Sequence, residues 1–91
     1  MKRRLVISAE AQRDLLDIRN YIAAENPNRA ETYLDELLAK CASVVDFPFS
    51  APISRRRKGW RGVPYGFYMI FYTVTEQTVR IRAVKHSATL K

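Results

Sequence analysis

The chain has 91 residues, 47% of them hydrophobic and ten aromatic, with 16 Lys and Arg against nine Asp and Glu for a net charge of +7. That length allows one domain, residues 1–91, with a modest core, and the hydrophobic and aromatic content argues for a folded protein over a disordered polyelectrolyte. The positive excess points to an anionic partner, nucleic acid or an acidic protein, without choosing between them.

The opening "MKRRLVIS" holds only three consecutive apolar residues before Ser8. That is too short for a signal peptide, and no stretch approaches membrane-spanning length, so a soluble cytoplasmic protein without membrane contact is expected. Leu5–Ile7 reads as a short strand that stops at Ser8, a helix N-cap, with Glu10 placed for the positive end of the helix dipole. Ala11, Leu15, Ile18 and Ile22 recur at helical spacing and predict a first helix over residues 9–24. In "ENPNRA", Pro27 favours the first helical position and leaves Asn26 extended as a cap. Ala30, Leu34, Leu37, Cys41 and Val44 then make one face of a second helix ending near Asp46. Two helices with so short a link form an antiparallel hairpin. Cys41, the only cysteine, excludes an internal disulfide, suits a reducing compartment, and falls on the apolar stripe where packing is its expected role.

Residues 48–59, with two prolines and the basic run Arg55–Lys58, predict a loop. Strand periodicity follows: Trp60–Pro64, a turn at Tyr65 and Gly66, a doubly covered strand over Phe67–Val74, the turn "TEQT", and Val79–Lys85. Alternation puts Val79, Ile81 and Ala83 on one face of that last strand and Arg80, Arg82 and the less conforming Val84 on the other. The expected fold is α+β: an N-terminal strand, then a helical hairpin packed on a sheet completed by a three-stranded antiparallel meander.

Motifs for metal, phosphate-loop or dinucleotide chemistry are missing, so neither metal nor cofactor is expected. His86 is the single histidine, at the end of the last strand beside Lys85 and Ser87; its two readings are surface hydrogen bonding and proton transfer. Arg80 and Arg82 share a strand face about 7 Å apart, and Arg61, on the neighbouring part of the meander, is placed to join them. Such a set either grips phosphates and carboxylates or forms a solvated face. The Arg55–Lys58 run reads as a solvated loop that attracts anions at long range. Tyr65, Tyr68 and Tyr72 read as base-stacking platforms or, for the two on the central strand, as core.

Taken together, "AEAQRDLLDIRNYIAAENPNRAETYLDELLAKC", "WRGVPYGFYMIFYTV" and "VRIRAVKH" resemble the RelE/ParE superfamily of bacterial toxins, and the ParE, or plasmid stabilisation, branch more than the other. The shared pattern is an acidic-Leu-x-x-Ile-x-x-Tyr-Ile helix, Asn-Pro into the second helix, an arginine ahead of a Tyr-x-Ile-x-Tyr strand, and a last strand ending in Val-x-His. The resemblance spans almost the whole chain and implies a type II toxin–antitoxin toxin, held in a hetero-oligomer by a cognate antitoxin. ParE toxins inhibit DNA gyrase, whereas RelE toxins cut messenger RNA on the ribosome. A target surface at Arg61, Arg80, Arg82 and His86 is implied, with Arg61, Arg82 and His86 as catalytic groups only if the chain is a nuclease. No tyrosine follows the last strand, which argues against the nuclease branch; Thr89 stands where many ParE-like chains carry arginine, and Ser50 or Ala51 where the family often has glycine. A third reading is a non-toxic binding module. Tyr21, Tyr33 and Leu38 lie at the margins of the hairpin's apolar stripes and are the expected antitoxin contacts.

Overall fold

Seven segments follow one another in the computed structural model, which describes residues 2–55 and 57–90 without the side chains of Thr89 and Leu90. They are β1 (Arg4–Ile7), α1 (Ala9–Ala23), α2 (Pro27–Val44), β2 (Arg61–Tyr65), β3 (Tyr68–Val74), β4 (Thr78–His86) and a 3-10 turn, Ser87–Leu90. Arg56 of the basic run and the side chain at Thr89 lie outside the described residues. The helical hairpin packs on one face of a four-stranded sheet ordered β1-β4-β3-β2. β1 runs parallel to β4, and the other pairs are antiparallel.

Local chemistry sets both helix starts. The Ala11 amide donates to Ser8 Oγ at 3.1 Å, and the Arg29 amide to Asn26 Oδ1 at 3.0 Å, with Pro27 in the first turn of α2. Ala11, Leu15 and Ile18 from α1 and Leu37, Cys41 and Val44 from α2 then meet Tyr68, Ile70, Tyr72, Val79, Ile81 and Val84 of the sheet in one core. Burial lifts the Cys41 thiol to about 11, so it stays protonated and unreactive at neutral pH.

The faces of β4 differ from strict alternation. Phe71 pairs with Ala83 but Tyr72 pairs with Ile81, so Arg82 is an extra residue in a bulge. The bulge turns Val84, rather than Ala83, onto the helix-facing side with Ile81, and Val84 joins the core cluster. Periodicity alone placed Val84 with the arginines. The strand pattern cannot show a bulge, because its only trace is one residue that fails to fit.

β4 is longer than its parallel partner, which covers only Thr78–Ile81. Beyond that point the first turns of α1 take over from β1. Ser8 donates its amide to the Ile81 carbonyl at 3.0 Å and its hydroxyl to the Arg82 carbonyl at 3.0 Å. Asp14 Oδ2 accepts the Val84 amide at 2.9 Å, while Asp14 Oδ1 takes Lys85 Nζ at 3.0 Å. Lys85 also reaches Glu10 at 3.3 Å.

At the other edge, Gly66 makes the β2–β3 turn at φ 57°, and a Cβ there would meet the Tyr33 hydroxyl at 2.5 Å. The loop before β2 closes the bottom of the core: buried Tyr72 donates its hydroxyl to the Pro48 carbonyl at 2.8 Å, and Gly62 its amide to Pro52. Tyr65 ties β2 to α2 by donating to Glu36 Oε1 at 2.6 Å, and Arg29 holds the same carboxylate at 2.7 and 3.2 Å.

Two measurements check these ties. Asp14→Ala leaves the Val84 amide without its acceptor, which costs about 1–3 kcal/mol and lowers Tm by several degrees. Exposed Asp35→Ala on α2 should change stability by less than about 0.5 kcal/mol; equal effects at the two positions would contradict the edge role. Glu36 is held below the ordinary carboxylate value of 4.5, first by the hydrogen bond from Arg29 and then by that from Tyr65. A depressed folded-state pKa contributes stability above the unfolded value and loses it as pH falls through the folded one. Wild type should therefore melt above Glu36→Gln near neutrality, with the gap closing on acidification below 4.5. A gap that persists to about pH 2 would show that the pair contributes nothing through ionisation.

Candidate functional site

Charge is divided between the two layers of the fold. Residues 9–44, the hairpin, carry seven acids and four bases, while the remainder carries two acids and twelve bases. The hairpin is thus −3 and the sheet with its loops +10, and none of the residues in β1 to β4 is acidic. Three surfaces result.

The first is the sheet face turned away from the helices. Arg80 is paired with Thr73 there, and Arg82 donates from Nε to Thr73 Oγ1 at 3.0 Å, so the two arginines flank one threonine. Arg57 lies 4.8 Å over the Trp60 ring, which itself packs 6.0 Å from buried Phe71. The Arg80 side chain has no hydrogen bond or ion pair among the described residues, which leaves its charge available to an anion.

Arg61 does not join them. It pairs with Tyr72 on the helix-facing side of the sheet, donates from Nη1 to the Ala51 carbonyl at 2.7 Å, and packs 5.1 Å over the Phe49 ring. Arg3 covers the same ring at 5.2 Å. Arg61 therefore pins the loop over the core, a task that Ala51 serves through its backbone.

The second surface is a groove of about 370 Å³ between the helices, lined by Ile7, Leu15, Leu16, Leu34 and Leu38 with Gln12 and Arg19. Leu16 is 53% and Leu38 39% exposed. Beside it runs β1, an outer strand of the sheet. The amides of Arg4 and Ser8 turn inward to β4, so by alternation those of Leu5 and Ile7 point outward. The opposite edge, β2, is blunted: Gly62 is already bonded to Pro52 and Pro64 has no donor.

The third surface lies at the hairpin tip, where Tyr21, Ile22, Arg29 and Tyr33 face Phe67, Tyr68 and His86 across a groove of about 460 Å³. His86 stacks on Phe67 with centroids 6.2 Å apart, meets Tyr68 edge-on at 5.2 Å, and accepts the Ala88 amide on Nδ1 at 3.1 Å. Tyr21 and Tyr33 thus share a groove with His86, and Leu38 belongs to the other. Leu16, Phe67 and Asp14 were not singled out in the sequence. Leu16 breaks the stripe of α1 as a leucine on its outer side, a signal that was there to be read. Among the described residues, no group of three His, Cys, Asp or Glu side chains is placed to hold a metal ion, and no helix is long and apolar enough to cross a membrane.

Comparison with known proteins gives the same fold. The chromosomal ParDE toxin–antitoxin system of P. aeruginosa contains a chain that superposes with a TM-score of 0.82 at 13% identity, covering 93% of this chain and 96% of that one. The toxin–antitoxin complex RelBE2 of Mycobacterium tuberculosis gives 0.71 at 21% identity, covering 94% and 99%. The E. coli DinJ-YafQ toxin–antitoxin complex gives 0.59 at 17%, covering 99% and 98%. No curated protein sequence matches. A family profile described as the ParE toxin of the type II toxin–antitoxin system parDE matches residues 5–90. With that profile spanning nearly its whole length, and with a fold common to ParE-type and RelE-type toxins, the chain belongs to the ParE toxin family.

Proposed function

We propose that this chain is a growth-inhibiting toxin that acts by binding DNA gyrase and is silenced by a cognate antitoxin. The observation that carries the binding reading is the dispersal of the catalytic candidates. Arg61 is on the helix side of the sheet beneath a loop, Arg82 is on the other side, and His86 stacks on Phe67 at the hairpin tip. A nuclease needs such groups around one reacting phosphate. Arg80 and Arg82, together beside Thr73, are the arginines we assign to the target, with His86 at a separate contact.

The antitoxin is assigned to the α1/α2 groove and the β1 edge. Leu16 and Leu38 fit an apolar helix face, and the outward amides of Leu5 and Ile7 fit an added strand. Because the hairpin is net negative, the helical part of the antitoxin is near neutral or basic, and its acidic part lies over Lys2 and Arg4 at the β1 edge. Tyr21 and Tyr33, at the tip, fall outside this path.

Expression without antitoxin should arrest growth with a DNA-damage response, and purified toxin should block gyrase supercoiling. Translation arrest with messenger cleavage would instead support the nuclease reading, and unhindered growth a non-toxic module. For the antitoxin, Leu16→Ser with Leu38→Ser should raise the dissociation rate about 10- to 100-fold, since fully burying one leucine contributes about 1.5–3 kcal/mol and roughly half of each of these side chains is left to cover. An unchanged dissociation rate in surface binding kinetics would place the antitoxin elsewhere.

A further inference from the structure

The tip groove has a chemistry unlike the rest of the molecule. Tyr21 is 76% and Phe67 74% exposed, the two highest values among the large hydrophobic side chains that stand out from the surface. Single exposed aromatics are ordinary, but these two face one groove whose floor is Tyr68. A second cavity of about 300 Å³ adjoins it, sharing Tyr21, Tyr68 and His86 and adding Asp14, Asp17 and Lys85.

Tyr68 is only 8% exposed, yet its hydroxyl has no hydrogen bond to any described residue. No buried side-chain oxygen or nitrogen among the described residues lacks a partner, so this oxygen opens into the groove. It is a polar atom on an aromatic floor, open to solvent and able to accept from a donor placed in the groove.

The charges lining the two cavities are paired off with one exception. Arg29 is committed to Glu36 by two hydrogen bonds, and Lys85 to Asp14 and Glu10. Asp17 is exposed, one helical turn before Tyr21, and has no hydrogen bond or ion pair among the described residues. Of the charged residues lining the two cavities, Arg29, Lys85 and Asp14 are thus paired, and Asp17 is the one left uncompensated among the described residues, in a chain of net charge +7. Aromatic faces beside an uncompensated carboxylate attract cations and repel phosphate.

We propose that this groove receives an arginine side chain of a partner protein. The planar guanidinium stacks on the rings of Tyr21 and Phe67, forks onto the Asp17 carboxylate, and donates to the Tyr68 hydroxyl oxygen. Aromatic rings and one carboxylate suit guanidinium better than ammonium, because it is more weakly hydrated and keeps its donors in one plane. The site is distinct from the leucine groove between the helices and does not depend on gyrase being the target.

The test is an NMR titration of the full chain with acetyl-arginine amide, acetyl-norleucine amide and adenosine monophosphate in turn. Arginine amide should shift the Tyr21, Phe67 and His86 resonances with a Kd of about 1–10 mM, as for one unassisted side chain. Asp17→Asn should weaken that binding at least about fivefold and Tyr68→Phe about threefold, since each removes one partner of the guanidinium. Asp17 is exposed, so its variant keeps the wild-type Tm and tests the site without a folding defect. Equal affinity for norleucine amide would reduce the groove to an apolar slot and overturn the proposal. So would tighter binding of the nucleotide at these residues, or no shift there at about 50 mM arginine amide.

Discussion

The whole arrangement hangs on completing the outer edge of β4. This strand is central along its first half and would be an edge along its second, because β1 is only four residues long. An exposed stretch of backbone donors and acceptors there would recruit other chains. Ser8 and Asp14 prevent that by bonding Arg82 and Val84 from the first turns of α1. The same two residues fix the direction of α1: Ser8 is its N-cap and Asp14 lies nearly two turns on. With α1 clamped at both points, its apolar face can meet only one part of the sheet, and α2 follows through the short link at Asn26.

That clamp also decides what the hairpin presents outward. Ala11, Leu15 and Ile18 must face the sheet, so Leu16 is turned to the gap between helices and Asp17 and Tyr21 towards the tip. One helix thus contributes to two grooves of opposite character, one lined by leucines and one by aromatics and carboxylates. The acids of the hairpin lie over a sheet that has none, and the net charge of the chain conceals this split. A long-range field of +7 steers anions to the sheet face and its loops, while the hairpin offers apolar contact with weak negative charge.

The order of elements was legible in the sequence because its signals are local. Ser8, Asn26 and Pro27 mark helix starts, and the apolar period changes after Gly59. Strand ends move by one residue between expectation and structure, as at Arg61–Tyr65, where neighbours rather than propensity set the boundary. The faces of β4 were legible as far as Arg82 and no further, since a bulge depends on pairing with β3. Arg80 and Arg82 share a face because strand geometry requires it. Whether Arg61 joins them depends on which side of β2 it occupies and on the loop above it. Its capture by the Ala51 carbonyl and Phe49 is a contact between segments that no spacing reveals.

Arg61 and His86 show how a residue pattern and a chemical site separate. Both are site residues that the family resemblance implies from sequence, and both are held by contacts that shape the fold: Arg61 closes the loop over Tyr72, and His86 packs against Phe67 and Tyr68 where β3 begins. Substituting either would alter structure as well as any contact with a target, so loss of toxicity at these positions cannot by itself identify a binding surface. Arg80 has no such structural tie among the described residues. Its side chain can be shortened without releasing a loop or a strand end, and an effect there reports on the partner. The physical distinction is whether the charge is already satisfied within the fold, and on this sheet that separates Arg80 from the other candidates.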